Sequence, residues 1–488
     1  MRVLRAWHFE KAPLECTDEN DRMNGADIET LTAHEIVVGY TTRTLGPVEV
    51  TRHLLGRIEE LDPAVNAFCH LDPEESLRHA SASQDRYGAG VPFGPLDGVP
   101  VAVKDVFDTS GWPTRKGSLL TSSEPADGDA PAVERLREAG AVLIGKTTTP
   151  DLGWKGLTDS PLTGITRNPW DLDTTPGGSS GGSAAALAAG MAPLALGTDG
   201  GGSIRIPGAF TGTVGLKPTF GRVPYAPMSP FGTLAHAGPM ARTVEDCHLL
   251  YEVIACHDPR DWTALPDRPR SNHVGEAIAG LRVMFSPTMG FAAVDPEVAD
   301  LVERAVGALQ ELGAAVEVAD PGIPDPTEIW ETLWNAGAAA IVDRLGHGRL
   351  ADVDPGLLEI AAKGRRLSAL DYLEASHARS EVAVALQAVL TDYDLLVTPT
   401  MPITAFAAGQ EVPGGWPHRR WHTWSPFSLP FNLSQQPAMT VPCGVTEASL
   451  PVGLQIVAAR HRDDLVFRAA AAYEAARRDR RFTRPVMA

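Results

Sequence analysis

Residues 168–222 read Asn-Pro-Trp-Asp-Leu-Asp-Thr-Thr-Pro, then Gly-Gly-Ser-Ser-Gly-Gly-Ser (177–183), an alanine-rich run to 191, Gly-Thr-Asp-Gly-Gly-Gly-Ser-Ile-Arg-Ile-Pro (197–207) and Gly-Leu-Lys-Pro-Thr (215–219). Two glycine-rich turns that carry serines thus flank a run of Ala and Leu whose small side chains let a helix pack closely on its neighbours. Glycine admits positive φ and close backbone approach, so Gly200, Gly201 and Gly202 ahead of Ser203 can aim successive N–H groups into one concave nest, which stabilises an anion. A flexible linker would not be bounded by Ala-Ala-Ala-Leu-Ala-Ala, nor followed closely by a second glycine cluster with Asp199 before it and Arg205 after it. A phosphate cradle fits no better, because neither turn ends in Gly-Lys-Ser/Thr and neither is Gly-x-Gly-x-x-Gly.

Upstream, residues 95–107 read as a turn followed by a β-branched strand. With period two, Val101 and Val103 point one way while Ala102 and Lys104 point the other, so Lys104 projects from an apolar strand and Asp105 faces away from it. Helix then strand recurs at 130–139 and 140–146, and again at 184–191 and 193–199. Such alternation predicts an α/β sheet covered by helices. Ser203 then lies just past the C-terminal end of a strand, where such sheets bind ligands.

The stretch resembles the signature region of the amidase signature family of serine hydrolases, in the form of a stand-alone bacterial amidase. The resemblance implies a large mixed central β-sheet with helices on both faces. It also implies a catalytic unit of a serine, a second serine after a cis peptide, and an upstream lysine. Ser203 falls at the nucleophile position, Ser179 at the bridging position 24 residues before it, and Lys104 supplies the lysine. Ser180 is the second choice for the bridging role. Thr198, Asp199 and Arg205 match positions that brace the nucleophile turn. Gly208 departs from the usual Ile-Pro-Ala and bears only on local stiffness. On this reading Ser203 attacks an amide carbonyl, Ser179 relays the proton to Lys104, the N–H groups of Gly200, Gly201, Gly202 and Ser203 hold the oxyanion, and water releases the acid from an acyl-enzyme. Neither a metal nor an organic cofactor is required. The rivals are the glutamine-amidase subunit of a tRNA-dependent amidotransferase and a non-catalytic binding protein on the same fold. Asp-Gly-Gly-Gly-Ser in place of Asp-Thr-Gly-Gly-Ser, and no clear glutamine-binding arginine motif between 340 and 380, favour the hydrolase.

The 488-residue chain is 43% hydrophobic and 21% charged, with a net charge of −19. That composition is globular, and its acidity argues against nucleic acid and against anionic lipid as partners. Five widely spaced cysteines without Cys-x-x-Cys suggest neither a disulfide framework nor a zinc site. The N-terminus shows no apolar segment of signal-peptide length and no window approaches a membrane span, so a cytoplasmic location is expected. Residues 1–22 are expected to be a loose extension and 23–488 one amidase domain, with its signature core at about 95–225 and its substrate-pocket region at about 225–430.

The partner expected is a small-molecule amide bearing an apolar or aryl group, and a homodimer is an allowed assembly. Residues 414–427 carry Trp416, Trp421 and Trp424, and with Phe427 and Phe431 they form either core or one wall of an apolar pocket. His418 and His422 stand four apart, without the further ligands a metal needs. Val50, Leu54, Ile58 and Leu61 make a core-facing helical stripe. Further strands are expected at 280–285, 315–318, 393–400 and two within 432–460, with helices at 296–312 and across 326–392. His236 is the rival base to Lys104.

Overall fold

The computed structural model describes residues 28–268, 274–345 and 347–477. The extension expected at 1–22 lies outside the described residues. The strands in chain order are β1 (Phe68–His70), β2 (Pro100–Lys104), β3 (Val142–Thr147), the short hairpin β4 (Asp159–Ser160) and β5 (Gly164–Ile165), β6 (Leu194–Asp199), β7 (Val214–Lys217), β8 (His236–Ala241), β9 (Arg282–Phe285), β10 (Ala315–Val318), β11 (Leu395–Pro399), β12 (Ala438–Val445) and β13 (Pro451–Ala458).

Eleven of them form one sheet, in the order β1-β3-β2-β6-β8-β7-β12-β13-β11-β9-β10. β2 pairs in parallel with both β3 and β6, and β9 with both β10 and β11. The strands between these two parallel blocks run antiparallel. Every residue of β2, β3, β6 and β8 is buried, the mark of central strands covered on both faces. The mixed α/β sheet expected from the sequence is therefore the observed architecture.

The helix Pro47–Val65 shows how the sequence builds one cover. Pro47 occupies the first turn, where its missing N–H costs nothing, and Val50, Leu54 and Ile58 are buried on one face while Leu61 is half-buried. Each such side chain contributes about 2 kcal/mol when buried. The helix stops at Asn66, which takes a left-handed φ of 57°, and Asp62 hands the chain to β1 by accepting the N–H groups of Ala67 and Phe68 at 2.6 and 3.2 Å.

The alanine-rich helix is Gly181–Ala188, with all eight residues buried. It begins earlier than the run of Ala predicts, because Ser180 already occupies the position before its first turn. A Cβ at Gly182 would meet Thr148 and the Ala67 carbonyl, and one at Gly181 would meet Thr158, so the two glycines let the helix lie directly on the β3 side of the sheet. Gly208 has a similar reason: it lies in the helix Arg205–Thr211, where a Cβ would come within 2.5 Å of Thr440 Cγ2. Its role is thus close packing, beyond the local stiffness expected from the sequence. Among the described residues, no helix is long and apolar enough to cross a membrane.

Candidate active site

Lys104 ends β2, between the C-terminal ends of β3 and β6. Its Nζ, fully buried, hydrogen-bonds with Ser179 Oγ at 2.7 Å, Ser180 Oγ at 2.9 Å and Thr198 Oγ1 at 2.9 Å. Asp105 faces elsewhere and is neutralised by Lys146 at 2.9 Å. Lys104 is thus left with hydroxyls as its direct partners. Burial disfavours its ammonium and pulls its pKa well below the usual lysine range, with Asp199 opposing part of the shift.

The first glycine turn delivers two serines in different states. The Gly178–Ser179 peptide is cis, and a side chain at Gly178 would overlap the Leu157 carbonyl. Ser180 Oγ donates to the Thr198 carbonyl at 3.1 Å and accepts the Thr198 N–H at 3.2 Å. Its proton is already spent on β6. Ser183 also ties the helix to β6, donating to the Leu196 carbonyl at 2.9 Å. Beside Ser179, a Cβ at Gly153 would stand 3.9 Å from its Oγ and 4.0 Å from Thr149 Oγ1. That threonine hydroxyl is buried without a hydrogen-bond partner among the described residues.

The second turn is built around Asp199, the last residue of β6. Its carboxylate accepts the Gly202 N–H at 2.8 Å and the Ile204 N–H at 3.2 Å, and it is gripped by Arg205 Nε and Nη2, both at 2.9 Å. Arg205 and Asp199 are both fully buried. The cation beside it holds the Asp199 carboxyl far below the ordinary range, against the cost of burial. Arg205 also donates to Gln455 Oε1 at 2.8 Å and Asn432 Oδ1 at 2.6 Å, and Asn432 Nδ2 donates to Asp199 Oδ1 at 2.9 Å.

Carbonyls fix the direction of the glycine peptides. Gly200 C=O accepts Trp330 Nε1–H at 3.0 Å and Gly201 C=O accepts Ser428 O–H at 2.7 Å. In a planar trans peptide the following N–H points the opposite way, so the Gly201 N–H is turned away from Trp330 and the Gly202 N–H toward Asp199. Gly202, at φ 113°, has no room for a side chain: a Cβ would lie 2.6 Å from Ser428 Oγ. Because its N–H is committed to a buried carboxylate, Gly202 leaves the set of expected oxyanion donors. The N–H groups of Gly200, Gly201 and Ser203 have no partner among the described residues.

Indole rings press on this turn from outside. A Cβ at Gly201 would lie 2.7 Å from the Trp330 ring and 2.9 Å from Trp421, and one at Gly200 would lie 2.9 Å from Trp334. Trp330 and Trp334 stack at 4.6 Å between centroids, with Trp421 edge-on to Trp330 at 5.2 Å. Of the aromatic segment, Trp421, Trp424, Phe427 and Phe431 are buried. Trp424 packs on Phe210 and Phe406, so Trp421 is the member that faces the glycines. His422 pairs with Glu331 at 2.6 Å.

His236 lies on β8 opposite Asp199. Its Nδ1 faces the Leu234 and Asp199 carbonyls at 2.9 and 3.3 Å, which makes Nδ1 the protonated nitrogen, and its Nε2 faces Lys217 Nζ at 3.5 Å. Burial and the neighbouring Lys217 push its pKa well below the usual histidine value. Both ring nitrogens face groups other than the serine hydroxyls.

The structure therefore brings Lys104, Ser179, Ser180 and Thr198 into direct contact, and Thr198 touches Lys104 itself. Asn432, Gln455, Ser428 and Trp330 complete the surroundings of the nucleophile turn. No local pattern in the sequence marks them.

A family model described as Amidase matches residues 49–467. An acylamidase of Rhodococcus erythropolis is 38% identical over 465 residues, covering 93% of this chain and 97% of that protein. A glutamyl-tRNA(Gln) amidotransferase subunit of Acidothermus cellulolyticus is 39% identical over 488 residues, covering 93% of this chain and 96% of that one. The crystal structure of a bacterial aryl acylamidase superposes with a TM-score of 0.88 at 30% identity, covering 94% of this chain and 98% of that one.

Proposed function

The chain belongs to the amidase family and hydrolyses carbon–nitrogen amide bonds, and from that premise we propose that Ser203 is its nucleophile, Ser179 its proton relay and Lys104 its base. The observation that carries this reading is the set of three hydroxyls around one buried amine. A neutral amine has two N–H groups and one lone pair. Ser180 has no proton to give, so it receives one N–H; Thr198 Oγ1 receives the other. The lone pair is left for the Ser179 O–H, which makes Ser179, and not Ser180, the relay.

As Ser203 Oγ bonds to the carbonyl carbon, its proton passes to Ser179 while the Ser179 proton passes to Lys104. The Gly200, Gly201 and Ser203 N–H groups face the developing oxyanion. The ammonium returns a proton through Ser179 to the leaving nitrogen, the C–N bond breaks, and water repeats the attack on the acyl-enzyme. An ordinary lysine, with a pKa of about 10.4, is neutral in roughly one molecule in a few thousand at pH 7; burial of Lys104 lowers its pKa and so raises the neutral fraction.

The purified chain is expected to hydrolyse acyl anilides without any partner and to be labelled by a fluorophosphonate at Ser203. The 39% identity to an amidotransferase component favours a second reading, release of ammonia for a partner, which demands hydrolysis only when the other components are present. Absence of labelling at Ser203 would remove the nucleophile assignment from both readings. A cytosolic location belongs to the same proposal, in keeping with the net charge of −19.

The pH profile separates Lys104 from His236. Activity through a neutral lysine is lost as pH falls through its pKa, so kcat/KM should rise through one ionisation below the ordinary lysine range, toward a mildly alkaline optimum. His236→Gln should keep that acidic limb. Loss of both the limb and the activity in His236→Gln would replace Lys104 as the base.

We assign the substrate an apolar or aryl group, on the strength of the indoles packed against Gly200 and Gly201. Trp424→Ala is expected to cost about 3–5 kcal/mol of stability with KM unchanged, since Trp424 packs on Phe210 and Phe406. Trp421→Ala should also raise KM for acyl anilides relative to aliphatic amides. If Trp421→Ala leaves the substrate ranking untouched, the aryl assignment fails.

A further inference from the structure

A cavity of about 820 Å3 is lined by none of Lys104, Ser179 and Ser203. Phe231, which lines it, stacks on Trp334 at 3.5 Å, so an aromatic layer links the cavity wall to Gly200. Its apolar lining comes mainly from the helices Thr327–Leu345 and Ala369–Asp392, through Leu333, Ala340, Ala383 and Val384. Its charged lining is Arg379 and Arg460, with no Asp or Glu. In a chain of net charge −19, a cavity with two guanidiniums and no carboxylate is conspicuous.

Neither arginine has a counter-ion among the described residues. Arg379 donates to the Leu433 carbonyl at 2.7 Å, Thr233 Oγ1 at 2.6 Å, and the Thr233 and Asn432 carbonyls at 3.1 and 3.3 Å, all neutral acceptors. Burial, with Arg460 adding like charge, lowers its pKa to about 10. Arg460 is exposed and has no ion pair or hydrogen bond among the described residues. A third donor joins them: Gln436 is 1% exposed, its Oε1 accepts from Ser434 at 2.7 Å, and its Nε2 is buried without a partner. A half-buried cation without an anion and a buried donor without an acceptor are both costly, and one anionic group relieves both.

We propose that this cavity binds a small organic carboxylate, with its anionic end at Arg460 and Gln436 Nε2 under the field of Arg379, and its apolar body against Leu333, Ala340 and Val384. The volume is in the range of small-molecule sites, which bind through apolar walls and a few placed polar groups. With Arg379 committed to backbone and Thr233, one guanidinium and one amide NH2 remain free, which suits a carboxylate better than the larger charge of a phosphate. The site does not depend on the role assigned to Ser203.

Titration of the full chain with sodium hexanoate at fixed ionic strength, followed by calorimetry, tests this. One saturable site is expected, with weaker binding of 1-hexanol, which has the apolar body without the charge. Arg460→Glu should weaken hexanoate at least about tenfold, since reversing a contacting charge exceeds 1.4 kcal/mol. Ala340→Phe, which fills the cavity without touching a charge, should weaken it too, while both variants keep the parent's thermal melt. Because hexanoate is also a product-like acid, loss of binding in Ser203→Ala but not in Arg460→Glu would place it at the catalytic serine and overturn the proposal. So would hexanoate binding unchanged in both cavity variants, or binding of inorganic phosphate or a poly-glutamate peptide where hexanoate fails.

Discussion

Ser203→Ala and Lys104→Ala each lower kcat/KM by about 10⁴-fold or more, the expected behaviour of groups that act as one unit. For Ser203 the reason is direct: its oxygen is the one that bonds to the carbonyl carbon, and it follows Gly200 and Gly201, whose N–H groups have no partner among the described residues. For Lys104 the argument needs a control, because its stem is fully buried and alanine would open a cavity worth about 2–5 kcal/mol of stability. Lys104→Met keeps the stem and removes only the amine, so it should lose as much activity as the alanine variant while retaining more of the melting temperature. Ser179→Ala removes the relay and should cost about 10²- to 10⁴-fold, less than Lys104 if water enters its place. Ser180→Ala loses contacts to both backbone groups of Thr198 but no transferable proton, and should fall well short of Ser179→Ala. Near-normal turnover in Lys104→Met, or a larger loss in Ser180→Ala than in Ser179→Ala, would overturn the proton path.

The parts of this arrangement legible in the sequence are those written locally. A lysine in an alternating apolar strand needs only the period of two, and the paired glycine-serine turns need only the freedom of glycine. The resemblance then assigned Ser179 and Ser203 their expected roles. Contacts formed across the fold left no such trace. Asn432 and Gln455 reach Arg205 from 227 and 250 residues away, in segments whose local pattern speaks only of strands and loops. β8 contains Gly238 and Pro239, residues that weaken any strand reading, and it is seen as a strand only once it pairs with β6 and β7. Trp421 and Trp424 stand in one short turn with like surroundings in the sequence, yet one faces Gly201 and the other Phe210. In the sequence Gly202 is indistinguishable from Gly200 and Gly201; in the fold its N–H alone of the three is taken by Asp199.

Arg205→Met should be the most damaging substitution for stability near the site. Arg205 and Asp199 are fully buried and joined by two hydrogen bonds of 2.9 Å. Removing one partner of such a pair costs about 3–5 kcal/mol, a large share of the roughly 5–15 kcal/mol by which domains are stable. The loss carries a sign in pH. In the parent, the Asp199 carboxyl titrates far below its unfolded value, so its contribution is complete above the ordinary aspartate range and is lost only as pH falls through the folded value. Without Arg205, burial dominates and the folded pKa rises above the unfolded one. The native state then binds more protons than the unfolded chain, and stability falls as pH rises. The deficit in melting temperature between Arg205→Met and the parent should therefore shrink as the buffer is taken from near neutrality to about pH 5. Arg205→Met/Asp199→Asn, which has no charge to bury, should show no such pH dependence while still failing to hold Gly202. A deficit that is the same at both pH values would mean that Asp199 remains ionised by other means, Lys217 or Asn432, and that the buried pair is not what fixes the nucleophile turn.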